Sequence, residues 1–165
     1  MSWQLEKLHK RHHREYFDCG EVELNDYLKR YASQDMKRNI GRTWVAISSN
    51  SLDILGFFSL SMGAIEFHKL PQARKLPRYP IPVARLTRLG VDKSVQGKGL
   101  GEYLLMAALK RCYDISQEIA MFGVVVDAKH EQAKKFYIKY GFEALTAQPL
   151  TLFVTCSYLE QLVQM

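Results

Sequence analysis

The sequence predicts a mixed α/β (α+β) fold with a central, mostly antiparallel sheet flanked by helices. Three observations predict it: apolar residues recur at helical spacing in three stretches, short runs rich in Val, Ile, Phe and Trp lie between them, and a cluster of glycines joins a strand to a helix. The chain has neither an internal repeat nor a Ser/Gly-rich linker, so residues 1–165 are expected to form a single domain.

The first amphipathic stretch begins at Val22, where Leu24, Tyr27, Leu28, Tyr31 and Ala32 share a face and Asp26, Lys29 and Arg30 point elsewhere. Residues 43–48 and 52–62 read as paired strands, and Ser49, Asn50 and Ser51 between them suit a hairpin turn. Pro71, Pro77, Pro80 and Pro82 then crowd a basic connection that excludes a regular helix and a central strand. Residues 82–92 read as the next strand. After the glycine cluster, Leu100, Leu104, Leu105, Ala108, Leu109 and Cys112 mark one face of a helix. Residues 120–126 are a continuous apolar run, as in a strand buried on both faces. Ala133, Phe136, Tyr137 and Tyr140 trace the next helix, Gly141 closes it, and residues 151–156 make the last strand.

Hydrophobic residues are 47% and charged residues 24% of the chain, which excludes a disordered or fibrous protein and suffices for a core without staples. Residues 54–65 form the longest uncharged stretch of the first half and are too short to span a bilayer. The N-terminus lacks the order of a secretion signal, so a cytoplasmic protein without membrane association is expected. Cys19, Cys112 and Cys156 are odd in number and widely spaced, which points to reduced structural thiols and no metal site. The net charge is +6, and it is unevenly placed. Lys69, Arg74, Lys75, Arg78, Arg85 and Arg88 lie within residues 67–91, which contain no Asp or Glu, while the rest of the chain is balanced. The helical stretch adds Lys29, Arg30, Lys37 and Arg38, partly offset by Asp35. Fixed positive charge without nearby acids suits an RNA backbone, although Arg85 or Arg88 can instead hold a carbonyl or carboxylate within the sheet.

Leu89, Gly90 and Val91 end a strand that runs into Gln96-Gly97-Lys98-Gly99-Leu100-Gly101 and then into a helix. Glycines there let successive backbone N–H groups converge on one point, and the helix N-terminus adds partial positive charge, so the loop suits a phosphate. No G-K-[ST] follows the spacer of a P-loop, and the acid of a dinucleotide fingerprint is not distinctly placed. The string resembles motif A of the GNAT N-acetyltransferases, and Phe136-Tyr137-Ile138-Lys139-Tyr140-Gly141-Phe142 resembles that family's F-Y-x-x-x-G-F signature. The resemblance implies that residues 96–101 hold the pyrophosphate of acetyl-CoA. It also implies that Leu89, Gly90 and Val91 offer backbone groups to the pantetheine arm and the acetyl carbonyl.

Amine attack on a thioester releases a thiolate, and a phenol with an ordinary pKa of about 10 remains protonated to meet it. Tyr137 is the expected general acid, with Tyr140 in reserve. No general base stands out, though Asp127 and Glu131 follow the apolar strand. A lysine acceptor would need such a base, whereas an α-amine near pKa 8 is partly neutral already, so the missing base favours an α-amine. His12 and His13 lie in a basic N-terminal segment and are expected to bind or be solvated rather than to catalyse.

Three further strings narrow the resemblance. Residues 17–28 (Phe-Asp-Cys-Gly-Glu-Val-Glu-Leu-Asn-Asp-Tyr-Leu) resemble the opening of acetyltransferase toxins from type II toxin–antitoxin systems. Residues 80–92 are similar to their strand before motif A, with Thr87 and Gly90 where Ala is common, and residues 151–154 to their last strand. What this implies is acetylation of the α-amino group of aminoacyl-tRNA, a block on translation, neutralisation by a ribbon-helix-helix antitoxin, and a homodimer. The alternatives are an acetyltransferase for a small-molecule or protein amine, and a non-enzymatic CoA-binding co-regulator.

Overall fold

The short, partly polar strands of this chain lie at the two edges of its sheet, and the more apolar ones lie between them. The computed structural model describes residues 2–70 and 75–163. Strands β1 (Trp3–Lys7), β2 (Arg42–Ser48), β3 (Gly56–Ile65), β4 (Ile81–Val91), β5 (Gly123–Asp127), β6 (Glu143–Ala144) and β7 (Thr151–Thr155) hydrogen-bond in the order β1-β2-β3-β4-β5-β7-β6. β4 and β5 are parallel, while the β1/β2, β2/β3, β5/β7 and β6/β7 ladders are antiparallel. The chain divides into two compact units, Met1–Ser61 with Thr87–Ala108 and Met62–Leu86 with Leu109–Met165.

In the first unit, Thr43 through Ile47 of β2 are all buried, as expected of a strand covered on both faces. Trp44 pairs with Phe58 across the β2/β3 ladder and stacks on it at 5.2 Å, a contact worth about 0.5–1.5 kcal/mol beyond burial. The buried Thr43 and Ser59 hydroxyls satisfy each other at 2.6 Å. The helical stretch is α1 (Val22–Asp26), a π turn (Tyr27–Tyr31) and α2 (Ala32–Lys37). Leu24, Leu28 and Ala32 bury against Val45, Ile47 and Phe57. Tyr31, expected on the buried face, is 52% exposed. The Ala32 N–H bonds to the Tyr27 carbonyl, one residue beyond α-helical spacing, so Ala32 takes the inward position and Tyr31 turns outward.

In the second unit β5 is flanked by β4 (Val83↔Gly123 to Leu86↔Val126) and β7 (Gly123↔Thr155 to Asp127↔Thr151), which accounts for its apolar composition. A Cβ at Gly123 would run into the Val154 carbonyl oxygen, so glycine is required for this close approach. Ile65, Leu70, Ile81, Val83, Val125 and Phe153 form this unit's core. Helix α3 (Leu100–Ser116) begins in the first unit and ends in the second. His130 caps α4 (Glu131–Lys139) by accepting the Ala133 N–H at 3.1 Å, and Gly141 ends it with φ +97. Helix α5 (Cys156–Val163) follows β7 directly.

Four local expectations change. β1 and β6 are short and partly polar, and pairing with β2 and β7 makes them strands. Helix α5 takes Cys156, assigned above to the last strand. β3 begins at Gly56, because the Ile54 N–H bonds back to the His13 carbonyl rather than into the hairpin. β5 begins at Gly123 instead of residue 120.

Candidate functional site

The glycine loop is set by the turn before it. Asp92 Oδ2 accepts the Ser94 N–H at 3.0 Å and its hydroxyl at 2.6 Å, closing a 3-10 turn over Lys93–Val95. Residues 96–99 are exposed, while Leu100 is buried and anchors the head of the 17-residue α3. Gly97 and Gly99 have φ +78 and +88, and a Cβ at either would meet nothing within 4 Å. The loop therefore presents bare backbone to open space at a helix N-terminus, which fits a phosphate-bearing group. Lys98 is exposed between the two glycines, and Gly101 opens the first turn of α3.

Gln96 has a structural task here. Its Nε2 donates to the Val91 carbonyl at 2.9 Å and to the Cys19 carbonyl at 3.2 Å, tying the loop to the end of β4 and to the opening segment. Asp18 Oδ1 accepts the Gly20 N–H and Asn25 Nδ2, Asn25 Oδ1 accepts the Cys19 N–H, and Asp92 Oδ1 accepts the Asp18 N–H, each at 2.9–3.0 Å. Of these bonds, the Gly20 N–H first and Asn25 Nδ2 second hold the Asp18 carboxyl below its ordinary value. They also give a physical reason for the opening string: it braces the glycine loop, which a linear reading of its residues did not disclose. Leu89 and Val91 are half-buried. Gly90 is buried, and a Cβ there would press on Cys19 Sγ and Phe57 at 3.3 Å. The Thr87 hydroxyl donates to the Ser59 carbonyl at 3.2 Å.

Tyr137 is buried on α4, with edge contacts to Phe136 at 5.2 Å and Phe142 at 5.5 Å. Burial pushes its phenol well above the ordinary value, so the proton stays in place across the neutral range. Tyr140 is half-buried with Lys139 Nζ over its ring at 5.6 Å. Of the possible bases, Asp127 is engaged: Oδ1 accepts the Thr151 hydroxyl at 2.7 Å and Oδ2 lies 3.5 Å from Arg85 Nη1. Glu131 is exposed in the first turn of α4.

Lys29, Arg30, Lys37 and Arg38 are exposed along the α1–α2 stretch, and Lys75 and Arg78 are exposed in the proline-rich connection. Arg74 lies outside the described residues. Arg88 differs from these: its guanidinium is half-buried and stacked 3.6 Å from the centre of the Tyr27 ring. The Tyr27 hydroxyl donates to Asp35 Oδ2 at 2.7 Å, and burial together with that carboxylate pushes it up to about 12. His12 corrects the expectation of a solvated residue. Its side chain is fully buried, with Nε2 2.8 Å from Glu6 Oε1 and Nδ1 accepting the His9 N–H at 2.9 Å.

Residues 18–151 match the family model for the acetyltransferase (GNAT) domain. The chain is 34% identical over 137 residues, 82% of its length and 81% of the other, to a protein of Mycobacterium tuberculosis named tRNA-acetylating toxin. The structure is similar to AtaT complexed with acetyl-methionyl-tRNAfMet, with a TM-score of 0.91, 28% identity and coverage of 98% and 99% of the two chains. It is also similar to a mutant AtaT toxin bound to acetyl-CoA and the C-terminus of the antitoxin AtaR, with a TM-score of 0.85, 26% identity and 99% coverage of both chains. With residues 18–151 matching that domain and a relative 34% identical over most of both chains, the chain belongs to the GNAT acetyltransferase family.

Proposed function

We propose that this protein is a toxin that transfers acetyl from acetyl-CoA to the α-amino group of aminoacyl-tRNA and so blocks translation. The observation that carries the reading is that the likeness to tRNA-acetylating toxins runs through nearly the whole chain, including the braced opening segment. Acetyl-CoA supplies the acetyl group as a thioester. Residues 96–101 bind its pyrophosphate through backbone N–H groups, with Gln96 holding the loop in shape. Leu89, Gly90 and Val91 lie beyond the stretch of β4 that pairs with β5, and their backbone orients the arm and the acetyl carbonyl.

Tyr137 donates its proton to the departing sulfur as the new N–C bond forms and the C–S bond breaks. Solvent returns a proton to Tyr137 and takes the one that the amine sheds. An α-amine fits a site in which no committed base stands out among the described residues, since its ordinary pKa near 8 leaves a neutral fraction at neutral pH. Lys29, Arg30, Lys37, Arg38, Lys75 and Arg78, with Arg74, contact the RNA backbone, while Arg88 is held on Tyr27 and shapes the sheet surface. The protein acts in the cytoplasm as a homodimer and is neutralised by a ribbon-helix-helix antitoxin.

The test incubates the protein with acetyl-CoA and a mixed pool of charged tRNAs and identifies acetylated aminoacyl ends by mass spectrometry. Acetylated ends are expected. Their absence under conditions where acetyl-CoA binds would refute the reading.

A further inference from the structure

Arg85 interrupts an apolar strand, for Ile81, Val83, Ala84 and Leu86 around it are all buried. Its position is built rather than incidental. The stem lies across Gly63, where a Cβ would come within 2.9 Å of Nε and 3.1 Å of Cδ, so glycine at 63 is what makes room for it. Nη1 lies 3.5 Å from Asp127 Oδ2, and Asp127 is itself steadied by the Thr151 hydroxyl on its other oxygen, at 2.7 Å. The side chains of Arg85 and Asp127 remain 35% and 67% exposed, so both keep an open edge. An ion pair this exposed adds little to stability, so the two charges contribute little to folding.

We infer that Arg85 and Asp127 form a two-sided clamp for the α-amino ester end of the acceptor, an inference that rests on the acceptor proposed above. Asp127 Oδ2 accepts an N–H of the amine, and the guanidinium donates to the ester carbonyl. In an aminoacyl ester these two groups are three bonds apart, on the same scale as the 3.5 Å between Nη1 and Oδ2. A pair with no net charge suits a head group carrying one donor and one acceptor, whereas a phosphate favours uncompensated guanidinium. Charge decides a second point. Asp127 alone would hold the amine as an unreactive ammonium, and Arg85 beside it offsets that field.

The experiment measures steady-state acetylation of charged tRNA at saturating acetyl-CoA, with the melting temperature of each variant as a check on folding. Arg85→Gln and Asp127→Asn should each lower kcat/KM for the acceptor by about ten- to a hundredfold, the worth of one charge-assisted hydrogen bond, with KM for acetyl-CoA unchanged. Gly63→Ala should reproduce the loss by displacing the arginine stem, yet add nothing in the Arg85→Gln background. Arg85→Lys keeps the charge without the fork and should recover part of the activity; it and Gly63→Ala carry the test if Arg85→Gln fails to fold. Wild-type turnover of charged tRNA matched by both Arg85→Gln and Asp127→Asn would overturn the clamp and leave the acceptor reading intact. No turnover of charged tRNA by the wild type would overturn both.

Discussion

Substituting Gly99 by Ala separates the cofactor loop's role from its contribution to folding. Gly99 has φ +88, and a methyl group there meets no other atom within 4 Å, so the cost to the protein alone is backbone strain. That strain is about 1–2 kcal/mol, which in a chain of 165 residues lowers Tm by roughly 2–8 °C. The methyl does occupy the open space in front of the loop, where a phosphate would approach the backbone. Acetyl-CoA at 100 times its Kd stabilises the wild type by about 2.7 kcal/mol, a rise of roughly 5–10 °C. The variant should lose most of that rise while still folding. Differential scanning calorimetry with and without acetyl-CoA reads both effects, and Gly123→Ala, whose methyl collides with the Val154 carbonyl, marks the contrasting case of a glycine needed for folding. An undiminished ligand-induced rise in Gly99→Ala would refute the assignment of the loop to the cofactor.

Two other predictions concern titrating groups. Tyr137→Phe keeps the ring contacts with Phe136 and Phe142, so acetyl-CoA affinity and Tm should stay near wild type while kcat falls about 10²–10⁴-fold; unchanged kcat would move the acid role to Tyr140 or solvent. Burial raises Cys112 to about 12, so above the ordinary thiol value the unfolded chain loses this proton while the folded chain keeps it. Stability should therefore be insensitive to Cys112 below pH 8 and fall by about 1.4 kcal/mol per pH unit on its account between roughly pH 9 and 12. Urea midpoints at pH 8, 9 and 10 check the slope, which Cys112→Ala should reduce; equal slopes in both proteins would contradict it.

Features whose cause lies within a few residues were readable in the chain. The α4 pattern ending at Gly141 needs only helical periodicity and one left-handed residue, and the loop at Gly97 and Gly99 needs only glycines with positive φ ahead of a helix. Other features depend on distant partners. The π turn moves Tyr31 outward without disturbing the apolar spacing that suggested a regular helix, and β1 is a strand because β2 lies beside it. His12 looks like a surface histidine until Glu6 is found at 2.8 Å.

The sequence by itself determined the family, the order of most strands and helices, the glycine loop and the tyrosine helix, because each is carried by local spacing or by the backbone freedom of single residues. Tertiary structure decided the rest: that Gln96 clasps Cys19 and Val91, that Arg88 is stacked on Tyr27, and that Arg85 lies over Gly63 facing Asp127. The physical reason is that a hydrogen bond or ion pair acts over a few ångströms, and only the folded chain brings residues 19, 91 and 96, or 63, 85 and 127, within that reach.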